Sequence, residues 1–292
     1  ELVVGVTRGN STPSGEFHVF EHSVGGASYL QRTLVQTAPP EAIDRFGSEV
    51  EAGDINFDGI DDLVVASYDG VFLYRGGASL SYAGSLESRP ADSFGTFTPY
   101  FLGVGDVIGG PANDLVISDT FSGGVRLYSG GSIPPVFVQE LDSTDYGGDV
   151  HIDDLTGDGL DDVAFPFATS VDTTIVAVFR GTRSQPQLSQ AWTLDQTGLG
   201  DNEVEDNFGH SFASGDFDGD CSPDLIVGAP REAFGPGDLD PQSGRAFYFA
   251  NSQAPTRHFG QAKQVSTSSS SGAAFDLDGA GIDFSEPCPT AQ

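Results

Sequence analysis

The chain has 292 residues, a net charge of −31, 39 Gly and 22 Phe, with no Met and one Trp. So acidic a chain argues against nucleic acid as a partner, because phosphate contacts need Lys and Arg. No apolar run reaches the eighteen or so residues of a membrane-spanning helix, and no signal peptide is visible, so no membrane span is predicted. Lys263 is the only lysine, and a surface this acidic suggests a saline or calcium-rich milieu.

In chain order, Gly-punctuated β-branched and aromatic runs dominate, and no long stretch with helical periodicity appears, which predicts an all-β fold. Residues 2–5 read as a strand, followed by Phe17–Phe20 and Leu30–Val35. The abrupt strand-like start suggests a processed or trimmed product. Next comes Phe46-Gly47, and eight residues after the Phe begins the stretch around which the repeat is organised, GDINFDGIDDLVVA from Gly53 to Ala66. Counting from Gly53, Asp54, Asn56, Asp58 and Asp62 stand at offsets one, three, five and nine, with Gly59 at six. Alternate side chains of a tight loop can converge on one hard cation, and the Ile60 carbonyl can complete an oxygen shell suited to Ca²⁺. An EF-hand loop instead lies between helices and ends in Glu at position twelve. Taken alone, this loop also reads as an acidic hairpin turn.

The spacing recurs. Asp154, Thr156, Asp158, Leu160 and Asp162 precede Val163-Ala164-Phe165. Asp216, Asp218, Asp220, Ser222 and Asp224 precede Leu225-Ile226-Val227, with Cys221 in place of the glycine. Three copies on one frame favour metal over ordinary turns, with about three structural Ca²⁺ ions expected. Two further copies are degenerate: Asp106 and Asp114 keep only the outer positions, and Asp276, Asp278 and Asp283 are imperfectly spaced. Aromatic-Gly pairs recur at Phe94-Gly95, Tyr146-Gly147, Phe208-Gly209 and Phe259-Gly260, and third strands are predicted at 71–74, 125–128, 175–179 and 246–249. Four short strands per 48 to 62 residues is the size of a propeller blade.

The pieces Phe208-Gly209, Asp216-Phe-Asp218-Gly-Asp220 to Asp224, and Leu225-Ile226-Val227-Gly228-Ala229-Pro230 resemble the FG-GAP repeats of integrin α-subunit β-propellers and their bacterial relatives. The resemblance implies a β-propeller of four-stranded blades with calcium loops between the first and second strands. Such propellers usually have seven blades, whereas the repeat here implies about five. The units are 46–93, 94–145, 146–207, 208–258 and a blade split between 259–292 and 1–45, within one domain of residues 1–292. The rival is a trimmed seven-blade ring.

Cys221 and Cys288 allow one disulfide, which together with weak calcium sites points to an extracellular or cell-surface location. No HExxH pair and no CxxC occurs, and the five histidines fall in different repeats or strand phases, so no enzyme activity is expected. The function expected is adhesion, protein recognition or surface assembly. A lectin-like propeller and an accessory domain of a larger secreted enzyme are the alternatives. The protein or glycan ligand is expected on the face opposite the calcium loops, at Arg231, Phe234 and Asp238 of the longest loop and Arg8 and Asn10 of its N-terminal equivalent.

Overall fold

A computed structural model of the chain describes residues 2–6, 16–22, 29–32, 45–88, 100–119, 124–142, 148–170, 173–183, 187–196, 206–231, 244–251 and 263–264. Two compact units are present: Glu1–Asp106 with Gly110–Asp145, and Val107–Gly109 with Tyr146–Gln292. Each is built from antiparallel meanders of the propeller-blade type.

The first unit holds three sheets. One comprises β1 (Leu2–Val6), β2 (Glu16–His22) and β3 (Tyr29–Arg32). The next comprises β4 (Glu49–Gly53), β5 (Asp62–Ala66), β6 (Gly70–Arg75) and β7 (Ser81–Ser88). The third comprises β8 (Tyr100–Gly105), β9 (Asp114–Asp119), β10 (Val125–Ser129) and β11 (Val136–Asp142). In the second unit, β12 (His151–Asp153), β13 (Asp162–Ser170), β14 (Thr173–Arg180) and β15 (Ser189–Leu194) form one sheet. The other holds β16 (Ser211–Gly215), β17 (Asp224–Ala229), β18 (Arg245–Phe249) and β19 (Lys263–Gln264). The predicted second and third strands coincide with these elements. The first strand expected of the split blade falls on residues 259–292, nearly all outside the described residues, and Lys263–Gln264 within that range pairs with β18 instead.

The middle strands are near-continuous apolar runs because both of their faces are covered. β5 divides its side chains by parity. Leu63 and Val65 pack with Phe17, Phe46, Phe72 and Tyr74, whereas Val64 and Ala66 pack with Tyr100, Leu102, Leu115 and Ile117 of the following sheet. In the second unit, Ala164, Val176 and Val178 pack with Leu225, Val227, Phe247 and Phe249 in the same manner. The Phe17 and Tyr74 rings meet edge to face at 5.4 Å, a favoured arrangement of ring quadrupoles. Each fully buried aromatic or aliphatic side chain contributes about 1.5–3 kcal/mol, so these seams dominate the stability of the fold.

The two aromatic-Gly pairs among the described residues are turns of one geometry. Arg45 and Asn207 take left-handed backbone (φ 52° and 54°), as do Gly47 and Gly209 (φ 83° and 88°). The Gly47 and Gly209 amides then donate to the second-strand carbonyls of Ala66 and Gly228, at 2.9 and 3.0 Å. Phe46 and Phe208 are thereby turned into the core, at 0% and 1% exposure. Phe94, Tyr146 and Phe259 lie outside the described residues. Register shifts recur just before Tyr74, Tyr128 and Phe179, placing a bulge at the same point of three third strands. Between β7 and β10, Arg126 pairs with Glu87 at 2.8 Å, and the Tyr128 hydroxyl donates to Glu87 at 2.5 Å, joining two neighbouring sheets.

Candidate metal centre

The complete acidic loops share a backbone as well as a spacing. At offset four, Phe57, Gly157 and Gly219 are all left-handed (φ 60°, 66° and 79°), and at offset six so are Gly59, Gly159 and Cys221 (φ 85°, 83° and 65°). Cys221 therefore takes up a conformation that costs a residue with a side chain about 1–3 kcal/mol. In the degenerate loop between β8 and β9, Gly109 keeps the left-handed turn at offset four (φ 70°), but Pro111 stands at offset six. Its ring fixes φ near −65° and excludes the second left-handed residue. The loss of inner ligands there thus goes with a changed loop path.

The offset-one carboxylates hold this backbone. Asp54 accepts from the amides of Asp58 and Gly59 at 2.9 and 2.8 Å, and Asp154 accepts from Asp158 and Gly159 at the same distances. Asp216 accepts from Gly219 and Cys221 at 2.8 and 3.0 Å. Asp58, Asp158 and Asp220 each accept from the amide two residues on, those of Ile60, Leu160 and Ser222. Asn56 turns its amide to Asp62, with Nδ2 donating to both carboxylate oxygens at 3.1 and 3.0 Å.

The offset-nine aspartate does more than the spacing implied. Asp62, Asp162 and Asp224 are buried, and so is Asp114 of the degenerate loop. Each accepts from a backbone amide just beyond the third strand of its own sheet: Gly76, Gly181, Asn251 and Gly130, at 2.8 to 3.1 Å. A Cβ on Gly76, Gly130 or Gly181 would lie 2.0, 2.1 or 2.4 Å from the carbonyl oxygen of Asp61, Asn113 or Asp161. Only glycine lets the two backbones approach so closely. The fourth copy has Asn251 instead, whose Nδ2 donates to the Leu155 carbonyl at 2.7 Å. These glycines were not singled out by spacing alone. The signal is the aromatic-x-Gly at Tyr74-Arg75-Gly76, Tyr128-Ser129-Gly130 and Phe179-Arg180-Gly181.

Among the described residues, one acidic triplet brings an oxygen from each side chain within 4.8 Å of the others: Asp216, Asp218 and Asp224. Ca²⁺ binds oxygens at about 2.3–2.6 Å, so its ligands lie within about 5 Å of one another, and the triplet fits that sphere. Ser222, fully buried in the same loop, has a hydroxyl without a hydrogen-bond partner. Burial pushes the carboxyls of Asp62, Asp162 and Asp224 upward, Asp162 to about 7, and neighbouring carboxylates add to the effect. Backbone amides offset part of it. The loops thus gather more negative charge than their surroundings stabilise, which a central cation would relieve.

The remaining predicted residues are not brought together with these. Arg231 is exposed at the end of the fourth-loop hairpin, its amide donating to the Asp206 carbonyl at 3.2 Å. Phe234, Asp238, Arg8, Asn10, Cys288, Asp276, Asp278 and Asp283 lie outside the described residues.

One polar cluster was not foreseen, because its members sit sixty residues apart. His151 of β12 approaches Ser214 of β16 at 2.8 Å, and the Ser214 hydroxyl donates to Asp153. Burial lowers the His151 pKa, and its ring stacks on Phe212 at 5.9 Å. In a nucleophilic triad the imidazole stands between serine and carboxylate. Here the serine stands between the other two, which is not the order of that triad, and the cluster ties β12 to β16.

The fold and loops define a repeat protein of propeller-type blades, with acidic loops between the first and second strands of the four-stranded sheets among the described residues. Residues 208–246 match the FG-GAP repeat family, and this stretch is an FG-GAP repeat, the unit of integrin-like propellers. No curated protein matches the chain. Among solved structures it is similar to the exotype rhamnogalacturonan lyase YesX, at 13% identity and a TM-score of 0.42 over 82% of this chain and 54% of that one. It is also similar to the Photorhabdus luminescens Tc holotoxin pore, at 16% identity and a TM-score of 0.39 over 86% of this chain and 12% of that one. The chain therefore spans about half the length of the first and about an eighth of the second.

Proposed function

We propose that the chain is a calcium-stabilised, non-catalytic recognition module of the adhesion or surface-assembly type, working outside the cell or on its surface. The observation that carries this reading is the convergence of Asp216, Asp218 and Asp224 within the FG-GAP repeat. Asp220 and the Ser222 carbonyl would complete the oxygen shell, with equivalent sets at Asp54, Asn56, Asp58, Ile60 and Asp62, and at Asp154, Thr156, Asp158, Leu160 and Asp162. A bound ion supplies a central positive charge that fixes each hairpin. The protein's own part is to present oxygens and keep the loop backbone turned. The same extracellular setting would permit the disulfide between Cys221 and Cys288 that the sequence allows.

The test is calcium binding measured by calorimetry on the full chain, with thermal melts in EDTA and in calcium. About three ions bound and a higher melting temperature in calcium than in EDTA are expected. Absence of bound calcium together with unchanged melting would overturn the proposal.

A further inference from the structure

The acidic loop between β12 and β13 differs from its sisters in how its offset-five position is held, although Arg75 occupies the same register position in the first loop's sheet. Its offset-five carboxylate, Asp158, is held by an arginine: Nε and Nη2 of Arg180 both reach Oδ2, at 3.0 and 2.8 Å. Strand register puts Arg180 in the place of Ala250 in the fourth loop's sheet, where the carboxylates converge on one another instead. In the third loop a guanidinium stands beside a ligand oxygen that the fourth leaves to its neighbouring carboxylates.

A second arginine is seated alongside. Arg183 donates from Nη2 to the Gly159 carbonyl at 3.2 Å, and its stem crosses Gly109, where a Cβ would come within 2.2 Å of Cγ. The two arginines face a cavity of about 410 Å³ that Thr182, Gln187 and Ser189 also line. That volume lies in the range of small-ligand sites. Two of the twelve basic residues of a chain carrying −31 are thus gathered at one cavity. The Asp158 carboxylate lines the same cavity, while the more distant negative surface is screened by salt beyond about 8 Å. Guanidinium groups match carboxylates geometrically, and the hydroxyl and amide side chains around them suit a ligand that carries hydroxyls of its own.

We propose that Arg180 is an exchangeable counter-ion. It neutralises Asp158 while the third loop is without a cation, and when calcium takes the Asp158 carboxylate, Arg180 joins Arg183 in binding the carboxylate of an acidic sugar, a uronate, in the adjoining cavity. This rests on the calcium reading above and gives it a ligand class, at a site beside a calcium loop. The coupling is reciprocal: the uronate strengthens calcium binding at the third loop by the factor by which calcium strengthens uronate binding.

The experiment is an NMR titration of the full chain, following the amides of Gly159 and Gly219 as reporters of the third and fourth loops. The probes are D-galacturonate, neutral D-galactose and an aspartate-rich peptide, each in EDTA and in calcium. Galacturonate should bind in calcium and at least tenfold more weakly in EDTA, while galactose does not bind. Arg180→Gln and Arg183→Gln should each weaken galacturonate by about tenfold. Arg180→Gln should also lower the calcium midpoint at Gly159 by about threefold, the scale of one exposed ion pair, and leave the midpoint at Gly219 unchanged. Galacturonate binding no better than galactose, or an unmoved Gly159 midpoint in Arg180→Gln, overturns the proposal. Tighter binding of the peptide overturns the sugar assignment. A Gly219 amide indifferent to calcium overturns the calcium reading and this proposal with it, whereas a responsive Gly219 beside any of the other failures overturns this proposal alone.

Discussion

Replacing Asp224 with alanine separates the two tasks assigned to the offset-nine carboxylate. Asp224 is fully buried and accepts from Phe217 N–H at 2.9 Å, Asn251 N–H at 2.8 Å and the Tyr248 hydroxyl at 2.9 Å. A buried donor left without its acceptor costs about 1–3 kcal/mol, so three orphaned donors would cost about 3 kcal/mol even at the low end. Relief of a buried charge beside Asp218 returns part of this, leaving an expected loss of about 2–3 kcal/mol in EDTA. With calcium at tenfold over Kd, an intact site adds about 1.4 kcal/mol by mass action, and the variant lacks that increment at one loop. The control is Asp114→Ala in the degenerate loop, which orphans the Gly130 amide, 3.1 Å away, without removing a complete ligand set. It should lose about 1–3 kcal/mol equally in EDTA and in calcium. Urea denaturation of both variants in the two buffers measures all four values. An undiminished calcium increment in Asp224→Ala, or an equal loss of it in Asp114→Ala, refutes the division of labour.

Gly181→Ala should destabilise the chain by about 1–3 kcal/mol in urea melts, because the new Cβ would lie 2.4 Å from the Asp161 carbonyl oxygen and 2.9 Å from that of Val107. Gly110→Ala, with open space around the new atom, should cost under about 0.5 kcal/mol. Burial pushes the Asp149 carboxyl up from 3.8 to about 6. The folded chain therefore keeps that proton after the unfolded chain has lost it, and stability falls as pH rises from about 4 through about 6. Asp149→Asn should remove this slope and raise the melting temperature above pH 6 but not below pH 4. Parallel melting curves across pH 4–8 would contradict it.

Much of the fold was legible because its causes are local. Leu63-Val64-Val65 and its sisters are continuous apolar runs since each residue parity meets a different neighbouring sheet. The acidic spacing marked the loops, and Phe46-Gly47 and Phe208-Gly209 marked turns whose left-handed glycine leaves little freedom of sequence. What escaped reading joins residues far apart in the chain. Nothing in the spacing ties Asp162 to Gly181, Asp158 to Arg180 or His151 to Ser214, because each pairing exists only once strands have found their register. The acidic pattern likewise suggested that aspartates at offset nine serve metal alone. Asp114, buried and bonded to Gly130 in a loop without inner ligands, reveals their second duty.

That second duty makes the repeat tolerant. Because the last carboxylate anchors the hairpin by bonding to its own sheet, the inner positions are released from holding the chain together. Pro111 could enter one loop and Arg180 reach into another while the strands around them stayed in place. A chain organised this way can diversify its ion sites one at a time, as a keyboard can be retuned string by string without rebuilding the frame.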